Sequence, residues 1–133
     1  MKLNQVTVGC IDYDRSVAFY RQLGLTQIVD APPRYARFET PSGETFSLHR
    51  VDKIESQTTM IYFECDNLDA TVARLENEGI AFDTEPTDQS WGWREARLHD
   101  PAGNPLCLFY GGDNRRFPPW RIDHATKEKG NEK

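Results

Sequence analysis

The stretch "QVTVGC" (5–10) alternates polar and apolar residues, the period of a half-buried strand, and an Asp-rich turn follows it. Val17, Tyr20 and Leu23 then form one apolar stripe at helical spacing, ahead of Gly24. Asp12 or Asp14 is suited to cap this helix, since a side-chain oxygen there accepts an orphan backbone N–H. The same succession returns at 60–80. Laid without gaps over residues 5–25, "MIYFECDNLDATVARLENEGI" sets Cys65 on Cys10, Asp69 on Asp14, Val72 on Val17, Ala73 on Ala18 and Gly79 on Gly24. Asp66 or Asn67 is the matching cap, and Leu68, Val72 and Leu75 are the matching stripe. Each helix has a single face to bury, so both are expected to pack on a sheet.

A second repeat pairs "FETPSGETFSLHR" (38–50) with "LHDPAGNPLCLFY" (98–110), aligning Pro41 with Pro101, Gly43 with Gly103, Ser47 with Cys107 and Leu48 with Leu108. Strand, Pro-x-Gly turn, strand is hairpin chemistry. "TQIVD" (26–30) and "AFDTE" (81–85) supply the remaining strand of each copy. The predicted fold is α+β: two βαβββ modules, about 1–50 and 60–113, whose curved mixed sheets enclose a shared cleft. Two units are too few for a solenoid. The polar segment 51–59 connects them, and residues 1–113 form one domain. In the tail, 114–133, the apolar Phe117–Trp120 stretch is expected to pack on the body or on a second subunit, and the charged end to be disordered.

A chain of 133 residues with 38% hydrophobic and 28% charged positions suits one soluble globular domain. No apolar run approaches the roughly eighteen residues of a membrane span, and the N-terminus lacks a secretory pattern, which favours the cytoplasm. Cys10, Cys65 and Cys107 cannot all pair and form no CxxC, so they read as reduced packing residues. The net charge of −5 argues against a nucleic-acid surface and for a neutral or cationic small molecule. Arg115, Arg116 and Arg121 read as a solvated or interface feature of the tail.

This doubled pattern, with "DYDRSVAFYRQLGL" in the first half and "DPAGNPLCLFY" closing the second, resembles the vicinal oxygen chelate superfamily over residues 3–111. That group includes glyoxalase I, extradiol dioxygenases, fosfomycin-resistance enzymes and bleomycin-binding proteins. The resemblance implies four metal ligands, one each from the first and last strands of both modules, which here are Gln5, Ser47, Met60 and Cys107. Cys107 stands where family enzymes commonly place a glutamate. A thioether, a hydroxyl, an amide and a thiol are poor donors for a hard divalent ion, which needs anionic or strongly donating ligands to repay its lost hydration. No cofactor or metal is therefore expected. A displaced set of Gln5, His49, Glu64 and Cys107 is the alternative, because His49 shares a face with Ser47, and Tyr62 and Glu64 share one with Met60.

"SWGWREARLHDPAGN" (90–104) resembles the segment of bleomycin-binding proteins in which tryptophans and an acidic groove hold a flat cationic drug. Trp91 and Trp93 would stack on such a ligand, and Arg94 would pair with a carboxylate or phosphate, or else with Glu95 or Asp100. The expected small-molecule site is Gln5, Ser47, His49, Met60, Tyr62 and Cys107, walled by Trp91, Trp93 and Phe109, with Arg94 beside it. His99 and His124 read as exposed, and Cys107 as a packing thiol rather than a nucleophile. Three functions compete: a metal-free binding protein; a metal-dependent lyase, isomerase or dioxygenase with Glu64 as base and His49 as a further catalytic candidate; and an interaction module using the "RRFPPW" tail. The resemblance also implies a homodimer.

Overall fold

The computed structural model describes residues 1–55 and 58–122; the charged end of the tail, with His124, lies outside them. Strand β1 (Gln5–Cys10) leads into helix α1 (Tyr13–Leu23), followed by β2 (Thr26–Ala31), β3 (Tyr35–Glu39) and β4 (Thr45–Arg50). The second module repeats the order as β5 (Ile61–Glu64), α2 (Leu68–Asn77), β6 (Thr87–Asp88), β7 (Arg94–His99) and β8 (Pro105–Tyr110). Each sheet is mixed, with orders β1-β4-β3-β2 and β5-β8-β7-β6, the first strand of each module lying parallel to its last. Asp12 caps α1 by accepting the Arg15 N–H, and Asn67 caps α2 by accepting that of Ala70. Gly24 ends α1 with φ of 112°, a backbone state that costs any side-chain-bearing residue energy.

The expected strand at 81–85 is absent; the paired edge strand is only Thr87–Asp88. Its predecessor residues bend instead of extending. The Arg97 carbonyl accepts from both Asp83 and Thr84 N–H, while the Arg97 N–H goes to the Thr84 hydroxyl. A side chain thus takes the place of a ladder acceptor, and Pro86 has no N–H to resume the ladder.

One face of each sheet is apolar and turned to the helices. Val6, Val8, Ala36, Phe38, Phe46 and Leu48 supply it in the first sheet, and Ile61, Phe63, Ala96, Leu98, Leu106 and Leu108 in the second; all join one core with α1 and α2. Phe46 meets Phe63 edge-on across the modules, with centroids 5.8 Å apart. The junction is completed by the β7–β8 turn. Buried Asp100 accepts from the Tyr20 hydroxyl at 2.6 Å, the Asn104 side chain at 2.9 Å, and the Ala102 and Asn104 backbone N–H groups. Asn104 also donates to the Gly9 carbonyl at 2.8 Å. "DPAGN" therefore joins the modules as well as closing a hairpin.

Candidate functional site

Side chains alternate across a strand, so the residues between these core positions line the opposite, open faces. Cross-strand register fixes the rows. In the first sheet Arg37, Ser47 and Thr7 stand side by side, as do Tyr35, His49 and Gly9. In the second the corresponding rows are Arg97, Cys107 and Tyr62, and Glu95, Phe109 and Glu64.

The first face is polar. Thr7 and Ser47 share a hydrogen bond of 2.5 Å, and Thr45 donates to the Gln5 side-chain oxygen at 2.8 Å. Arg37 Nε donates to the Tyr35 hydroxyl at 2.8 Å. Burial acts to raise the Tyr35 phenol, but hydrogen bonds with Ser47, Arg37 and Gln5 and the Arg37 charge outweigh it and lower its pKa. His49 is exposed at the end of β4. A Cβ at neighbouring Gly9 would come within 2.9 Å of Val51 and 3.1 Å of Ile54, so the connector folds back over this end of the face.

The second face is aromatic. Trp93 stacks on Phe109 with centroids 4.4 Å apart, and Tyr62 stands edge-on to both at 6.0 and 5.8 Å. Trp91 donates from Nε1 to Glu95, whose buried carboxylate also accepts from Arg97 at 3.2 Å. Burial pushes the Cys107 thiol up to about 12; Glu95 adds to the rise and Arg97 opposes it. At neutral pH Cys107 is a protonated, enclosed thiol. Glu64 accepts from the Gly111 N–H and lies 3.6 Å from Arg115, while Trp93 Nε1 donates to the Asn114 carbonyl. The segment after β8 thus covers its end of the face as the connector covers the other.

The residues expected from sequence divide between these faces. Gln5, Ser47 and His49 lie on the first, and Tyr62, Trp91, Trp93, Cys107 and Phe109 on the second, with half-buried Met60 just before β5. Arg94 is not among them: it forks onto Asp69 of α2 at 2.9 and 3.2 Å and reaches Asp88 at 3.0 Å, on the helix side. His99 pairs with Asp83 at 2.5 Å. Ser47 and Cys107 are fully buried, and neither they, Gln5 nor Met60 presents an anionic donor, so these four positions do not fit a hard divalent ion. His49, Glu64 and Cys107 are not brought together either; among the described residues no three His, Cys, Asp or Glu side chains form such a group.

Tyr35, Arg37, Glu95 and Arg97 were not expected at the site. A signal for them exists, because the 60-residue offset of the hairpins continues upstream, setting "RYARF" (34–38) over "REARL" (94–98).

The family model for the glyoxalase/bleomycin resistance protein/dioxygenase superfamily matches residues 2–108, spanning both sheets. The chain belongs to that superfamily. Within it, the chain is 30% identical over 123 residues to a probable trivalent organoarsenical cleaving enzyme of Bacillus subtilis (strain 168), covering 86% of this chain and 83% of that protein. A solved superfamily structure from Nocardioides has a TM-score of 0.72 at 24% identity, covering 92% of this chain and 90% of its own. TnmS3, an antibiotic binding protein from Streptomyces sp. CB03234, has a TM-score of 0.69 at 26% identity, covering 84% and 97% respectively. No helix among the described residues of this superfamily member is long and apolar enough to cross a membrane.

Proposed function

We propose that this chain is a binding protein that holds a flat aromatic small molecule against the open face of its second sheet and releases it unchanged. The Tyr62–Trp93–Phe109 cluster carries this reading. Tyr62 is 47% exposed, and Trp91, hydrogen-bonded to Glu95 on the same face, 39%, so large rings remain open to a partner. Each aromatic pair adds about 0.5–1.5 kcal/mol beyond the area it buries. The likeness to an antibiotic binding protein supports the same reading. Catalytic machinery is sparse here: the Cys107 thiol is protonated at neutral pH, and Glu64 is engaged by Gly111 and Arg115. Three free thiols suit a reducing compartment such as the cytoplasm. Exposed Phe117 and Trp120 suit a homodimer in which a second copy covers them, which light scattering on Phe117→Ser and Trp120→Ser variants tests.

The function itself is tested by titrating the protein with planar compounds, including 2-naphthamide and anthraquinone, while following tryptophan fluorescence. Saturable quenching, recovery of unaltered compound, and at least about tenfold weaker binding by Trp93→Ala are the expected results. Chemical conversion of the compound, or no quenching by any of them, overturns the reading. The Bacillus relative favours a second one, cleavage of a trivalent organoarsenical. It predicts release of inorganic arsenite from a trivalent phenylarsenical, where the binding reading predicts none.

A further inference from the structure

We propose that the open face of the first sheet is a carboxylate site built around Arg37, and that the ligand of the binding reading above, on which this rests, is an aromatic acid. The internal repeat exposes the difference that argues for it. Arg37 and Arg97 occupy the same place in their sheets, opposite Ser47 and Cys107. Arg97 is neutralised by Glu95 at 3.2 Å. In the first sheet the position of Glu95 is held by Tyr35, a neutral phenol that occupies only the Arg37 Nε, with the guanidinium carbon 5.4 Å from its ring centroid. Among the described residues, Arg37 has no carboxylate within ion-pair distance. Glu39, the acid on the same face, sits opposite Thr45 one row further along and makes no such pair.

In the row of this half-buried cation stand the neutral hydroxyls of Thr7 and Ser47, and in the next row Thr45 and Gln5 accompany the exposed acid Glu39, which forms no ion pair with it. A planar fork with free N–H groups among hydroxyls matches a carboxylate, which takes two parallel charge-assisted bonds. The acidic balance of the whole chain does not decide the matter. Exposed charges beyond about 8 Å are largely screened at physiological salt, so the distant acids of the chain weigh little against the guanidinium.

The test compares 2-naphthoate, its uncharged amide 2-naphthamide, and inorganic phosphate, each titrated into the full chain labelled with ¹⁵N. Naphthoate is expected to shift the Arg37 Nε–H signal saturably and to bind about tenfold tighter than the amide, the increment of one charge-assisted hydrogen bond. Arg37→Gln should erase that preference, bringing acid and amide to equal affinity; Arg37→Lys, which keeps charge but not the fork, should restore part of it. Equal binding of acid and amide to the unaltered protein, or a silent Arg37 signal, overturns the carboxylate site while leaving the aromatic reading intact. A saturable Arg37 shift without tryptophan quenching sinks the aromatic reading and retains the carboxylate site. A larger response to phosphate than to naphthoate overturns the assignment to a carboxylic acid.

Discussion

Across from His49 in the first sheet stands Tyr35; across from Phe109, its counterpart in the second, stands Glu95. On the helix side of the same strands Ala36 corresponds to Ala96, Phe38 to Leu98, Phe46 to Leu106 and Leu48 to Leu108, and all eight are buried and apolar. On the open side Thr7 corresponds to Tyr62, Gly9 to Glu64 and Ser47 to Cys107, and of the positions in these rows only Arg37 and Arg97 keep one residue type. A shared core must be filled to close packing and tolerates small changes of shape at most. The open faces carry no such demand, so one has become polar and the other aromatic on the same backbone.

The two hairpin turns differ most in consequence. Thr40 and Asp100 hold the same place, but Thr40 bonds only to exposed Ser42 and Glu44, whereas Asp100 satisfies the buried Tyr20 hydroxyl and ties the second module to the first. Asp100→Ala strands that hydroxyl and the Asn104 amide together, and is expected to cost about 3–5 kcal/mol; Thr40→Ala should stay within about 0.5 kcal/mol. Tyr20→Phe, which leaves Asp100 its other three donors, should cost about 1–2 kcal/mol. Urea unfolding of the three variants measures all of this. Equal losses at the two turns would show that the junction between the modules lies elsewhere.

How much of this could be read from the chain follows from the same contrast. The repeated offsets reveal both hairpins and both helices because the residues that recur are those the core requires, such as Val17 with Val72 and Leu48 with Leu108. The aromatic face was legible too, since Trp91 and Trp93 are two of the chain's three tryptophans and strand alternation puts Phe109 on the same face as Cys107. Edge strand β6 was not, because its path is set by the Thr84 hydroxyl and by Pro86 rather than by apolar alternation. Arg94 reads as a ligand contact until α2 is docked, when Asp69 proves to be its partner. Tyr35 and Glu95 are ordinary residues in sequence; only cross-strand register makes them neighbours of the two arginines.

A smaller difference separates Gly9 from Glu64. The connector packs so closely on Gly9 that a methyl group there must displace Val51 and Ile54, both flexible side-chain ends. Gly9→Ala is expected to cost about 1–2 kcal/mol. Glu64, held by Gly111 and by Arg115 at 3.6 Å, is more open, and Glu64→Ala should cost about 1 kcal/mol or less. Thermal unfolding distinguishes them, and a greater loss at Glu64 would mean that the segment after β8 anchors its sheet more firmly than the connector does.

The last contrast, Ser47 against Cys107, is visible only at high pH. The serine does not titrate, whereas burial raises the Cys107 thiol from an ordinary value of 9.0 to about 12 in the folded chain. The unfolded chain therefore releases this proton first as pH rises. The native state is fully favoured below pH 9, and this contribution is lost progressively between pH 9 and 12, with a slope of at most about 1.4 kcal/mol per pH unit. Cys10, Cys65 and Tyr13 are also raised by burial and slope the same way. Replacing Cys107 by Ser, the residue its counterpart already carries, should leave their share and flatten the remainder, by about 1 kcal/mol at pH 10. Urea unfolding of both proteins at pH 8, 9, 10 and 11 gives the two slopes. Parallel lines would mean that the thiol ionises in the fold as readily as outside it, and that Cys107 is open to solvent chemistry after all.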